Sequence, residues 1–502
     1  MHSTLRSPNR LFQPVRSQIA RAGNGRRGMQ SATTDSRKEG DISSVFSSLS
    51  GEVQKPLPQR FAEQKQRLIN GNEDAVRHAW NSLLPQLRQE IEEIKSTGPA
   101  IVPELDFKDI NHPDTQQDFA KRLKKTGVAV IRDVVSEEEA LGWKSEIREY
   151  IKQNPQTKAF PPDDPQVFEL YWSRPQLRAR AHPNLLAAQS FLMSHWHSSS
   201  PTAPLSPTHP VSYADRLRIR NPGDNRFALG PHCDGGSVER WEDHGYGLGG
   251  VYDAVFRGDL AAFDPWESSC RLDAVSDNYN GAGACSMFRM FQGWMSMSTT
   301  APGEGTLRVN PLFDRATAYY LLRPFFEAVR GPEGMGKEDF LAAGNWRLKK
   351  EQDSTLHGAY PSQCLELNDT LHPHLELGSS MINIPAVRPG DYVAWHCDTI
   401  HSVDTSHTGI SDSSVLYIPA TPLTPANAAY LARQRAHFLK GIPPPDFPGG
   451  VGEEHHVGRG SETDLAKESK EARRSAGVEK WNVGGDEGVG RALEEGNKAL
   501  GF

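Results

Sequence analysis

The tripeptide His-Cys-Asp occurs twice in this chain, at 232–234 and again at 396–398. Each copy sets an imidazole and a carboxylate two residues apart, and in an extended segment residues i and i+2 point the same way. Such a pair offers two ligands to a borderline divalent metal. One more histidine from elsewhere completes a two-histidine, one-carboxylate facial triad, which leaves adjacent positions open on non-haem Fe(II). The two copies are open to three readings: two metal half-sites, a repeat, or one site with a chance duplicate.

Bulk composition limits the alternatives. The 502 residues carry 56 basic and 63 acidic side chains, a formal charge of −7. That balance implies no long basic face and argues against nucleic acid as a partner. Five cysteines (Cys233, Cys270, Cys285, Cys364, Cys397) are too few and odd in number for a disulfide framework, which suits a reducing, intracellular compartment. No CxxC pair is present, and no apolar stretch is long enough to cross a membrane.

The elements that must position the candidate ligands begin helical and turn to β. "NEDAVRHAWNSLLPQLRQEIEEIKSTG", with Asn72 as its cap, and "DTQQDFAKRLKKTG" have apolar residues at helical spacing and glycine stops. "VAVIRDVV" is a short strand, followed by a helix opened by a capping box of Ser136 and Glu139. From Tyr213 the period becomes two. In "YADRLRIRNP", Leu217 and Ile219 alternate with Arg216, Arg218 and Arg220, giving one apolar face and one bearing three guanidiniums. "GWMSMSTT", "GTLRVNP", "GDYVAWH" and "SSVLYIPA" are further short strands, so a mainly β sandwich or barrel with flanking helices is expected. The stretch 235–290 is too long and irregular for a hairpin and reads as an insertion.

The order of these motifs carries a resemblance. His-x-Asp, then "WMSMSTTAPGEGTLRVNP", then "PGD" with a histidine about eleven residues later resembles the phytanoyl-CoA dioxygenase-like group of Fe(II)/2-oxoglutarate oxygenases. "GVAVIRDVVSEEEALGWKSEI" is similar to that group's entrance. "YADRLRIRNPGD" and "GPHCDGGSVERW" resemble, more narrowly, a branch known as domain of unknown function 1479, over roughly residues 100–440. The resemblance implies a double-stranded β-helix (jelly roll) of the clavaminate synthase-like, cupin type. It also implies a dioxygenase using Fe(II), 2-oxoglutarate and O₂, with ascorbate as an accessory reductant.

In the group's pattern the distal histidine lies ten to twelve residues past the Gly-Asp turn, which selects His401 over His396. The implied metal ligands, and the catalytic set, are His232, Asp234 and His401. His396 and Asp398 become structural, and His244, His357, His372 and His407 receive no role. The group also places an arginine ten or eleven residues past the distal histidine to grip the cosubstrate's C5 carboxylate. Here Asp412 and Ser413 stand in that stretch. A buried carboxylate needs a cationic partner, so the substitute is sought among Arg218, Arg220 and Arg308, with Ser411 or Ser413 as hydroxyl donors. Arg216, further along the strand from the His-x-Asp loop, is expected to take no part.

These readings give four regions: a basic, disordered 1–45 with the composition of a mitochondrial transit peptide, a helical 46–112, a jelly-roll domain 113–440, and a low-complexity, solvated tail 441–502 including His455 and His456. The expected activity is oxidation of a small polar metabolite, an amino acid or carboxylate, in the cytoplasm, or in mitochondria if the transit peptide is real. The rival readings are a jelly-roll isomerase or hydrolase that does without 2-oxoglutarate, and a non-catalytic binding protein.

Overall fold

The short β-branched runs assemble into two large sheets in the computed structural model, which describes Arg37 and residues 39–51, 53–447 and 449–502. The arginine-rich stretch read as a transit peptide lies outside the described residues. The larger sheet is mixed and has eight strands, in the order Glu104–Asp106, Val128–Arg132, Tyr392–His396, Phe291–Ser296, Ser413–Tyr417, Leu217–Arg220, Val167–Phe168 and Ala159–Phe160. The smaller is antiparallel, with five: Leu365–Glu366, His232–Cys233, His401–Val403, Leu307–Val309 and Ile382–Asn383.

Strand alternation sorts the larger sheet's side chains into two cores. Leu217, Ile219, Phe291, Met295, Tyr392 and Leu416 pack against Phe119, Leu123, Trp143 and Ile147 of the helices Pro113–Thr126 and Glu137–Gln153. The opposite residues, including Trp294, Val393 and Trp395, join Leu307, Val309, Leu365 and Ile382 of the smaller sheet. The larger sheet thus wears helices on one face and the smaller sheet on the other, and the period-two pattern is what lets one strand serve both.

Local signals hold in part. Ser136 accepts the Glu139 N–H and caps its helix. Asn72 sits at the expected cap position of Glu73–Thr97, but its side chain makes no cap bond. The Pro-Gly-Asp turn before Tyr392 needs its glycine: Gly390 has φ +92°, and a Cβ there would lie 2.0 Å from the Val135 carbonyl oxygen. Asp391 then accepts from the N–H groups of Arg388 and Asp133 and pairs with Arg132, so the turn entering the His401 hairpin is pinned to the Val128–Arg132 strand.

Two expectations about the ends fail. Residues 441–502 are not a solvated tail. Trp481, Leu493 and Leu500 are buried, and the helix Glu487–Leu500 packs on Pro425–Lys440. The buried Asp446 accepts from the Tyr213 hydroxyl and from the backbone and hydroxyl of Ser286. His456 is hydrogen-bonded to Tyr150. Low apolar content misled because the few large residues recur at packing positions. At the other end, Ile42–Val45 forms a helical turn with Ile42, Val45 and Phe46 buried, so this part of the expected disordered extension is folded onto the protein.

Burial also holds the imidazoles of His372, His374 and His396 neutral, each pushed down to about 3. An unfolded histidine titrates at about 6.5, so the unfolded chain takes up these protons first. Their contribution is complete above that pH and is lost as pH falls from about 6.5 towards 3, by about 1.4 kcal/mol per unit for each group. The melting temperature is therefore expected to be several degrees lower at about pH 5 than at about pH 7.5. An equal or higher value at pH 5 would contradict the burial of these rings.

Candidate metal centre

His232 and His401 sit directly opposite each other on neighbouring strands of the smaller sheet. Cross-strand partners bring their side chains together, and the two rings are 4.1 Å apart. Asp234, just past the end of its strand, turns towards both: its carboxylate oxygens lie 3.6 Å from His232 Nε2 and 3.7 Å from His401 Nε2. Each imidazole is oriented from behind, His232 Nδ1 to the Gly230 carbonyl at 2.7 Å and His401 Nδ1 to the Thr399 carbonyl at 3.1 Å. With Nδ1–H donating to a carbonyl, each Nε2 lone pair is free and faces the carboxylate, the tautomer a metal ligand requires.

The electrostatics favour the same state. Burial and the neighbouring His232 push His401 down to about 3, so it is neutral. Burial alone would raise Asp234, but positive charge around it, including the guanidiniums of Arg289 and Arg216, holds it below the ordinary range. Two imidazoles and one carboxylate, converging on one point, suit a divalent ion such as Fe(II).

The second His-Cys-Asp brings its side chains equally close but leaves no free donors. One Asp398 oxygen takes Arg240 Nη1 at 2.7 Å and the other takes Arg271 Nη2 at 2.6 Å, all three side chains being buried. His396 Nδ1 accepts the Asp398 N–H, while its Nε2 faces the Pro265 carbonyl at 3.0 Å. Its ring stacks on Trp196 at 4.5 Å. A cation here would meet two guanidiniums.

The first group lies in the wall of an open cavity lined from both sheets. Of the residues expected to bind cosubstrate, Arg218 and Ser413 reach it. Arg220 does not: it is committed to Asp224 at 2.7 Å and to the Asp404 carbonyl at 2.6 Å. Arg308 points out of the smaller sheet and donates to the Met381 carbonyl, and Ser411 is exposed. Arg216, expected to be uninvolved, also lines the cavity, with Nε on Asp215 at 3.0 Å. The alternation that points Arg216 and Arg218 inward applies to Arg220 too; only Asp224, one helical turn's length further along the sequence, diverts it.

Several contributors escaped sequence reasoning. Arg289 lines the cavity from the residues leading into Phe291–Ser296, and its only signal is a lone cation inside the apolar run "CSMFRMFQGW". Ile42, Val45 and Phe46 close another side, with Phe46 edge-on to the His232 ring at 4.7 Å. Ser47 and Ser48 tie this strap to Glu366, and Arg37 pairs with Asp277 and Asp446. Among the described residues, no helix is long and apolar enough to cross a membrane.

The chain is similar to known proteins. A family profile described as Gig2-like matches residues 55–478. The crystal structure of GlcNAc Inducible Gene 2 from Candida albicans is similar at 32% identity and a TM-score of 0.79, over 89% of this chain and 96% of that one. The Escherichia coli K12 protein YbiU is 33% identical over 412 residues, 79% of this chain and 91% of its own. The crystal structure of the E. coli hypothetical protein JW0805 is 32% identical with a TM-score of 0.70, covering 84% of this chain and 99% of that one.

The two copies separate experimentally. His401→Ala is expected to lose stoichiometric Co(II) or Mn(II) binding, followed by calorimetry, with little change in melting temperature. His396→Ala is expected to keep the metal stoichiometry but lose about 3–5 kcal/mol of stability, as an aromatic-sized hole opens beside Trp196. The opposite ranking in metal binding would make 396–398 the metal group.

Proposed function

The chain belongs to the Gig2-like family, and we propose that within it this protein is a non-haem Fe(II)/2-oxoglutarate-dependent oxygenase acting on a small polar metabolite. The two sheets are, on this reading, a double-stranded β-helix. The observation that carries the proposal is the convergence of His232 Nε2, His401 Nε2 and one Asp234 carboxylate in the wall of a cavity shared by the sheets.

His232, Asp234 and His401 would hold the iron. Bound iron with 2-oxoglutarate and O₂ supplies the oxidising power, with the cosubstrate leaving as succinate and CO₂ while a substrate C–H bond is oxidised. Arg218 is the partner for the C5 carboxylate. It is buried and meets no carboxylate: Nη2 donates to Gln166 Oε1 and to the Phe227 carbonyl, each at 3.0 Å, and Nε has no partner. Burial pushes it down to about 10, so it remains charged at neutral pH. A desolvated guanidinium without an anion is unfavourable, and a bidentate carboxylate removes that penalty. Ser413 and Tyr417 line the cavity from the adjacent strand, and Trp294, Trp395 and Phe46 exclude water.

The test is succinate release from 2-oxoglutarate by Fe(II)-loaded protein under O₂. The parent is expected to turn over slowly without added substrate, and Asp234→Ala not at all. Arg218→Met is expected to keep its Fe(II) affinity but raise the 2-oxoglutarate requirement about 30-fold or more, the consequence of losing a desolvated charge pair. Metal binding with no succinate from any protein would favour a jelly-roll isomerase or hydrolase.

A further inference from the structure

Arg289 is 6% exposed, yet among the described residues its guanidinium has no ion pair and no hydrogen bond. Its recorded contact is with the Tyr213 ring, over which it lies at 5.8 Å. That ring is fixed, since the Tyr213 hydroxyl donates to Asp446 at 2.9 Å. Arg289 borders the main cavity and also a smaller one beside it, lined by Asp234, Gly235, Tyr246, Ser276 and Cys285 among others. It therefore stands at the junction of two spaces, next to the candidate metal ligands.

The charges in the main cavity do not balance. Arg216 is matched by Asp215 at 3.0 Å, and Asp234 belongs to the metal group. Neither Arg218 nor Arg289 has a carboxylate within ion-pair distance among the described residues, although Asp234 and Asp215 attract Arg289 from further away. Among buried cations elsewhere, Arg220 has Asp224 and Arg240 and Arg271 share Asp398, while Arg180 and Arg323, away from this cavity, donate to the backbone carbonyls of Tyr171 and Phe326. A guanidinium kept in a desolvated cavity wall without an internal anion is arranged for one that arrives from outside. One bound cosubstrate places one carboxylate at the metal and the other on Arg218, which leaves Arg289.

We propose that Arg289 is a substrate-binding residue that grips a carboxylate of the primary substrate beside the metal centre, making this a site for a small carboxylate-bearing molecule. The proposal rests on the oxygenase reading and names its substrate class. A carboxylate is favoured over a phosphate by the number of donors: Arg289 offers one planar fork, which matches two carboxylate oxygens. Another guanidinium on this wall, Arg216, has its Nε already on Asp215.

The test uses the full chain loaded with Mn(II) without O₂, titrated by calorimetry with 2-oxoglutarate and then with acetate or inorganic phosphate as probes. The parent is expected to bind acetate at one saturable site, more tightly than phosphate. Arg289→Met is expected to weaken acetate at least about tenfold while leaving 2-oxoglutarate within about threefold, and Arg218→Met to do the reverse. Arg289→Lys keeps the charge without the fork and is expected to recover part of the acetate affinity, which covers the case in which the methionine variant fails to fold. Equal acetate binding by the parent and Arg289→Met overturns the proposal. So does a greater loss of 2-oxoglutarate in Arg289→Met than in Arg218→Met, or tighter phosphate than acetate in the parent. If Mn(II)-loaded parent binds no 2-oxoglutarate, the oxygenase reading fails. Acetate titrated into metal-free parent and Arg289→Met then still tests the anion subsite, with the same ratio expected.

Discussion

A single buried carboxylate, Asp398, ties the two His-Cys-Asp segments into one structure. It lies in the turn between Tyr392–His396 and His401–Val403 and is wholly desolvated. Removing a charge from water is unfavourable by several kcal/mol unless partners compensate it, and here Arg240, Arg271 and the Tyr252 hydroxyl do so at 2.6–2.7 Å. Arg240 reaches further, donating Nη2 to the Asp234 carbonyl at 2.9 Å, while Cys233 Sγ faces the Asp398 carbonyl at 3.5 Å. The strand end that presents one imidazole and the loop that presents the carboxylate are thereby fixed by the same ions. Such a network tolerates few geometries, because every member left unpaired would be a buried charge. The segment that resembles a second metal-binding motif is thus the brace of the candidate one at 232–234.

This also explains how much of the molecule was legible from the chain. Period-two alternation located Leu217–Arg220 and its inward arginines, and the cap at Ser136 opened the helix Glu137–Gln153. The family pattern that the sequence resembles distinguished His401 from His396, and the structure places the two in different surroundings, one at the cavity and one inside an aromatic core. These features are set by neighbours a few residues away. What escaped depends on which partner a side chain takes once the chain is folded, in most cases one far away in the sequence. Arg220 resembled Arg218 until Asp224 and the Asp404 carbonyl were seen to occupy it. Nothing local marks Arg240 and Arg271 as counterions of Asp398, or Tyr213 as the surface beneath Arg289.

The ends of the chain teach the same lesson about composition. Residues after Gly441 are polar on average, yet Asp446 and Glu453 are fully buried and hydrogen-bonded. Burial raises Glu453 to about 7 despite the N–H groups of Tyr171 and Trp172 and the Tyr150 hydroxyl around it. A mean over a segment cannot reveal that its few charged residues are counted into a distant hydrogen-bond inventory.

The strap at Ile42–Phe46 carries one more consequence. Phe46 touches the His232 ring, and Arg37 is anchored by Asp277 and Asp446. Ile42, Val45 and Phe46 roof this side of the cavity, so a chain shortened past Phe46 would expose the imidazole. Recombinant forms trimmed to the family-matching segment, which begins at residue 55, would lack that roof altogether.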